Sequence, residues 1–300
     1  MNAVTVRVPA KVNLQLSVGG PRPDGFHDIA TVFHAVTLYD DVTALPGDHL
    51  TVSTEGEGAD QVPVDDSNLA MRAAHALAEH TGVAAKAHIH IHKGIPVAGG
   101  MAGGSADAAG ALLALDRLWN TRLDRDDLQS LAASIGSDVP FALVGHSAVG
   151  LGRGERLTPA LARGRFHWVF AFGQSGLSTP AVYNELDRLR DGSVQAEPRV
   201  SETLMAALRS GDALALGRAL SNDMQRAAVS LVPDLAMTLD IGDEYGALGS
   251  IVCGSGPTCA FLARDQEHAL DLAVALTASG TCRSVKTVTG PAAGARVVSS

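Results

Sequence analysis

Residues 96–106 read Pro96-Val97-Ala98-Gly99-Gly100-Met101-Ala102-Gly103-Gly104-Ser105-Ala106, a glycine-rich run standing directly before a long apolar-faced segment. Glycine admits positive φ and leaves its amide unobstructed. The segment that follows carries Leu112, Leu113, Leu115, Leu118 and Trp119 on a broad apolar face, preceded by the small residues Ala106, Ala108, Ala109 and Gly110. That pattern predicts a helix whose first turns approach other backbone closely. Unpaired N–H groups at its start, aligned with the positive end of the helix dipole, make an anion site, and a phosphate chain is the natural guest. Ser105 is placed either to cap the helix or to ligate a phosphate-bound Mg2+. The Gly-Lys-Ser/Thr ending of a Walker A loop and the GxGxxG dinucleotide fingerprint are both absent from the run, which narrows the nucleotide-binding classes sharply.

Working outward, Ala87 to His92 alternates as a strand does, and Gly94-Ile95-Pro96 breaks it, so strand, loop and helix follow in order. His88, His90 and His92 share one face of that strand at intervals of about 7 Å. They read as a polar strand face, since zinc ligands normally converge from more than one element. Near the start, Val4, Val6 and Val8 alternate with Thr5 and Arg7, the pattern of a half-buried strand, and Lys11 follows within or just beyond it. A turn at Gly19–Gly25 precedes a second strand, Ile29 to Leu38. Asp65-Asp66-Ser67-Asn68 offers N-caps for a helix from Ala70 to His80, which Gly82 ends. Asp124 caps a further helix that Gly136 terminates, leaving Asp138 at a junction where catalytic groups are easily presented. Beyond about residue 157 the pattern restarts with a strand (His167 to Phe172), several helices, paired strands around Gly254-Ser255-Gly256, a helix (Gln266 to Ala278) and a last strand. The expected division is therefore 1–157 and 158–300, in keeping with the usual size of domains.

Composition sets limits on function. With 46% hydrophobic and 18% charged residues, the 300-residue chain reads as ordinary globular protein. A formal net charge of −9 argues against a general nucleic-acid binder, so any anionic ligand must be held by local positive potential. No segment approaches the roughly 20 uninterrupted apolar residues of a membrane span, and Met1-Asn2-Ala3-Val4-Thr5-Val6 lacks the build of a signal peptide, so a cytoplasmic protein is expected. Cys253, Cys259 and Cys282 are too few and too irregularly spaced for a disulfide framework or a zinc site, and are read as buried free thiols.

Taken together, Pro9-Ala10-Lys11-Val12-Asn13-Leu14, the run at 96–106, Gly136-Ser137-Asp138-Val139-Pro140 and Gly254-Ser255-Gly256 resemble the ordered motifs of the GHMP small-molecule kinases. Within that family, Asp24-Gly25-Phe26-His27 is similar to members whose acceptor is a small molecule bearing cytidine diphosphate. The resemblance implies an α+β fold of two domains. The first would be like the second domain of ribosomal protein S5 and the second ferredoxin-like, with the active site between them. It implies transfer of the ATP γ-phosphoryl group, with Mg2+, to an acceptor hydroxyl.

By matching motif position, Lys11 and Asp138 are the expected catalytic pair. Asp138 would accept or orient the hydroxyl proton, and the adjacent ammonium would favour its ionised form. The whole of 96–106, with Asn68 and Lys93, would hold ATP, and Ser105 would be a Mg2+ ligand. Asn13 and His27 would bond the cytosine edge, Phe26 would stack on its face, and Thr179 would reach the substrate from the second domain. Phe26 stands where the family often has tyrosine. Gly254-Ser255-Gly256 would close over the phosphates or form a tight bend. A monomer or weak homodimer is expected, with neither nucleic acid nor membrane as partner. The rival readings are a homoserine, mevalonate or sugar kinase of the same family, and a nucleotide-binding module without turnover.

Overall fold

The computed structural model describes residues 3–299 apart from 175, 192 and 194. The chain opens with two long antiparallel strands, β1 (Val4–Pro21) and β2 (His27–Leu45). β1 runs far beyond the strand expected at its start. Its alternation persists, with Ala10, Val12 and Leu14 on the core side and Lys11, Asn13 and Gln15 on the other, but both faces are buried here. The pairing slips between Pro9 and Ala10 and again between Asn13 and Gln15, so the strand bends where its polar residues stand.

Next come β3 (Leu50–Gly56), α1 (Leu69–Thr81), β4 (Ala87–Lys93), α2 (Gly103–Trp119), α3 (Arg125–Ile135), α4 (Val139–Val144), β5 (Ser147–Gly152) and β6 (Arg156–Pro159). Helix α2 lies against β1 and β2, and Gly110 lets it come close: a Cβ there would stand 2.6 Å from Cγ2 of Val42. The His88, His90 and His92 face is polar, as expected. His88 and His90 bond Ser53, and His90 and His92 bond Glu55. No metal-holding cluster of three or more His, Cys, Asp or Glu occurs among the described residues.

The rest of the chain supplies β7 (Phe166–Phe172), α5 (Thr179–Leu189), α6 (Glu202–Ser210), α7 (Ala213–Ala219), β8 (Ser221–Asn222), α8 (Gln225–Leu231) and α9 (Asp234–Glu244). It ends with β9 (Gly249–Val252), β10 (Cys259–Ala263), α10 (Gln266–Ser279), β11 (Ser284–Gly290) and β12 (Arg296–Ser299). Four of these strands form an antiparallel sheet in the order β11-β7-β10-β9, the ferredoxin-like arrangement. The first sheet is ordered β12-β1-β2-β4-β3, with β5 and β6 extending from β2.

Two segments of the second half return to the first sheet, β8 beside β1 and the terminal β12 on its outer edge. A boundary at 157/158 remains our proposal for where the second unit begins, and it falls within β6. The largest apolar core runs through both sheets, joining Val12 and Leu14 of β1 to Trp168 and Phe170 of β7. Each such side chain, fully buried, contributes about 1.5–3 kcal/mol. At this junction His34 is wholly buried, with Phe166 and Trp168 beside its ring and Ser147 bonded to Nδ1. Cys253 and Cys259 are buried and Cys282 partly so, and all three are free. Among the described residues no helix is long and apolar enough to cross a membrane.

Candidate active site

Three alternate residues of the glycine-rich loop are left-handed: Ala98 at φ 55°, Gly100 at 72° and Ala102 at 61°. Alternation of hand turns successive N–H groups toward one side, the backbone nest that binds anions. The two alanines adopt this shape at a cost of about 1–2 kcal/mol each. Gly100 has no alternative, because a Cβ there would collide with the carbonyl oxygen of Cys253.

Helix α2 begins at Gly103, with Ala102 as its N-cap and no side chain closing it. The capping role considered for Ser105 is thus corrected. Ser105 sits inside the first turn, lines the cavity, and leaves the helix's opening N–H groups to a ligand.

Beneath the loop is a buried ion cluster. Lys93 donates to Asp40 Oδ2 at 2.5 Å and to Asp107 Oδ2 at 2.7 Å, while Asp40 Oδ1 accepts the amides of Gly94 and Ile95. The cluster ties the end of β4 to the first turns of α2 and so holds both ends of the cradle. Burial pulls the Lys93 ammonium toward deprotonation, but Asp107 and Asp40 outweigh it and hold its pKa above the ordinary value. Burial raises the Asp107 carboxyl, with Asp40 adding to the effect and Lys93 opposing it, and Asp107 Oδ1 has no partner.

On the open side of the cradle lies a cavity of about 680 Å³. Lys11, on β1, points its ammonium into it, donating to Asn13 Oδ1 at 2.8 Å and to the Gly100 carbonyl at 3.1 Å. Asp138 Oδ2 is 3.6 Å from the same nitrogen. Asp138 occupies the N-cap position of α4 without bonding the helix, which leaves its carboxylate for the cavity. Asn13 is fixed in turn by donating to Thr31 Oγ1, which donates to the Gln15 carbonyl.

The far end of the cavity is aromatic. Phe26 is 51% exposed, an unusual position for a phenylalanine, and the Arg153 guanidinium lies 5.1 Å over its ring. His27 is buried, with Nε2 3.0 Å from Asp187 and its ring stacked on Tyr183 at 4.7 Å. Burial, with the charges of Asp138 and Asp187 adding to it, pushes the Tyr183 hydroxyl up to about 12, so it stays a donor. Thr179 at the start of α5 bonds Ser255 at 2.9 Å and ties that helix to the Gly254–Gly256 bend.

The structure therefore brings Lys11, Asn13, Phe26, His27, Asp138, Thr179 and most of the cradle into one cavity. Asn68 and Lys93 stand outside its lining. Asn68 caps α1 by accepting from Ala70, and the Lys93 ammonium is held by the two aspartates, so that both support the cradle; a hold on the nucleotide by either side chain remains our proposal. Pro96, Met101 and Ala106 are buried behind the loop, and Val97 faces a smaller cavity of about 150 Å³. Tyr183, Asp187 and Arg153 escaped the sequence reading. Tyr183 and Asp187 follow Thr179 at intervals of four, one face of a helix, and that spacing was the available signal.

Comparison with known proteins supplies the family. Residues 68–146 match the model described as "GHMP kinases N terminal domain", and residues 204–282 match "GHMP kinases C terminal". The chain belongs to the GHMP kinases.

Among its relatives in that family is the "4-diphosphocytidyl-2-C-methyl-D-erythritol kinase" of Streptomyces avermitilis, 60% identical over 296 residues, which span 99% of this chain and all of that one. A solved structure titled as a 4-(cytidine 5'-diphospho)-2C-methyl-D-erythritol kinase superposes with a TM-score of 0.77 at 33% identity, covering 95% of this chain and 98% of that one. A homoserine kinase from Cytophaga hutchinsonii superposes with a TM-score of 0.74 at 18% identity, covering 99% and 98%, a likeness of fold alone. The α+β architecture implied by the motifs is thus that of the GHMP kinases in both halves.

Proposed function

We propose that the chain transfers the γ-phosphoryl group of ATP to the 2-hydroxyl of 4-diphosphocytidyl-2-C-methyl-D-erythritol, giving ADP and the 2-phosphate, a step of non-mevalonate isoprenoid precursor biosynthesis. The observation that carries the reading is the position of Lys11, whose ammonium touches the cradle at Gly100, the amide of Asn13 and the carboxylate of Asp138 in one cavity. The names and coverage of the relatives support the same acceptor.

In this reading the amides of the cradle and of the first turn of α2 hold the phosphate chain of ATP, as a backbone nest and helix start can. The acceptor oxygen forms a bond to the γ-phosphorus while the bond from that phosphorus to the bridging oxygen breaks. Asp138 orients the acceptor hydroxyl and takes its proton, and Lys11 offsets charge on the transferring group. Positioning of the hydroxyl and stabilisation of charge on the transferring group carry more of the effect than proton abstraction. Asn13 has one amide hydrogen left after its bond to Thr31, and His27 and Phe26 supply the remaining edge and face for cytosine.

Mg2+ fits this donor set as a phosphate-held ion. Ser105 lines the cavity beside the cradle, and Mg2+ is usually bound by one or two protein oxygens together with substrate phosphates. When bound, it neutralises charge on the phosphates. We also place the enzyme in the cytoplasm, where three free cysteines remain reduced, as a monomer or weak homodimer.

Release of ADP that depends on the cytidine-bearing acceptor tests the proposal. A homoserine, mevalonate or sugar acceptor in its place would overturn it.

A further inference from the structure

From the placement of Arg153 we propose that its guanidinium binds the diphosphate of the acceptor, and that Phe26 holds it there. The proposal rests on the cytidine-diphosphate reading above and adds to it a residue that the motifs do not reach.

Charge balance raises the question. The chain carries a net charge of −9, yet both ligands of the proposed reaction are anionic. Lys11 and Arg153 are the cations lining the cavity. Lys11 is engaged with Asn13, the Gly100 carbonyl and Asp138, at the end where phosphoryl transfer would occur. The guanidinium of Arg153 has no ion-pair partner among the described residues and lies over the ring of Phe26.

The local backbone is built to present it. Arg153 sits in the turn between β5 and β6, flanked by Gly152 at φ 76° and Gly154 at φ 107°. The nearby carboxylate, Glu155, is turned to the backbone instead: its Oε2 accepts the amide of Arg153 at 2.7 Å, and it makes no ion pair with the guanidinium. The turn is pinned by that bond while the side chain reaches over Phe26. β5 pairs with β2 so that Gly152 lies opposite Ile29, which brings the turn beside the Phe26-His27 segment.

A planar guanidinium stacked on an aromatic face keeps its N–H edge free, and that edge matches phosphate oxygens in two-pronged fashion. With the base held at Phe26 and His27, the diphosphate begins one ribose away, within reach of a group that packs on the same ring. The cradle and α2 already provide for ATP, so Arg153 serves the acceptor.

The test compares binding of CDP and of cytidine, without turnover, to the wild-type chain and to Arg153→Gln and Arg153→Lys variants, by calorimetry. Wild type should bind CDP more tightly than cytidine. Arg153→Gln should reduce that advantage by about tenfold or more, with Arg153→Lys retaining part of it, while the affinities for cytidine and for ATP stay within a few-fold. If wild type favours CDP and Arg153→Gln keeps the full advantage, or if ATP affinity falls instead, the role of Arg153 is wrong and the acceptor reading stands. If wild type binds neither CDP nor cytidine, the acceptor reading itself fails and the role of Arg153 fails with it.

Discussion

The Lys11 ammonium lies 3.6 Å from the Asp138 carboxylate while donating to the carbonyl of Gly100, so one charged group touches both the proposed proton acceptor and the glycine-rich loop. Its side chain is 8% exposed against 30% for Asp138. The pair is therefore rooted on one side in the core and open on the other to the cavity. An ion pair serving stability alone has no need of a half-buried carboxylate open to the cavity.

Replacing Asp138 with asparagine keeps the shape and removes the charge. Turnover should fall by about 10²–10⁴-fold, with ATP affinity within a few-fold of wild type. Steady-state kinetics with direct nucleotide titration checks this, and unchanged turnover would exclude the role given to Asp138.

Gly100→Ala should damage the cradle itself. Both Gly100 (φ 72°) and Gly280 (φ 70°) are left-handed, but only at Gly100 would a methyl meet backbone, the carbonyl of Cys253, whereas Gly280 has nothing within 4 Å. Gly280→Ala should cost about 1–2 kcal/mol of stability with ATP binding intact. Gly100→Ala should cost more and weaken ATP binding by at least about tenfold, as chemical denaturation and calorimetry would show.

Lys93→Met leaves two buried carboxylates facing each other. The loss should be about 3–5 kcal/mol at neutral pH, the cost of an uncompensated buried charge. Because burial and Asp40 already raise the Asp107 carboxyl, protonation relieves the variant, and its deficit should be smaller at pH 5 than at pH 8. Urea unfolding at the two pH values measures it.

Burial lowers His34 from its ordinary 6.5 to about 3, so the folded state keeps it neutral at the junction of the two sheets. The unfolded chain takes up a proton near 6.5 and the folded chain does not. This contribution to stability is complete above about pH 6.5 and is lost as pH falls toward 3, with a slope approaching about 1.4 kcal/mol per pH unit. His34→Gln should be less stable at pH 7 and should show a weaker decline between pH 7 and pH 5.

Much of this molecule was legible in its residues, and the places that were not have physical reasons. The cradle could be read because positive φ and open amides leave few residue types to choose from, and α2 because its apolar face is long. The full extent of β1 could not. Lys11, Asn13 and Gln15 look like the end of a half-buried strand, yet Gly100 and Asp138 stand by Lys11 and the segment at Arg199 and Ser201 by Gln15, so both faces are buried. Lys93 read as a nucleotide contact because its neighbours in sequence are the cradle. Its partners, Asp40 and Asp107, come from distant segments, and only the fold brings them together. The return of β12 to β1 is likewise a pairing across the whole chain, invisible to any local pattern. Arg153 and Asp187 belong to the same class, since their meaning lies in what they face, Phe26 and His27.

The most direct measurement is acceptor-dependent release of ADP from ATP by the purified chain, offered in parallel 4-diphosphocytidyl-2-C-methyl-D-erythritol, homoserine, mevalonate and a hexose. The expected result is ADP release with the cytidine-bearing acceptor alone, matched mole for mole by its 2-phosphate. Release with homoserine, mevalonate or the hexose, and none with the cytidine-bearing acceptor, would contradict it.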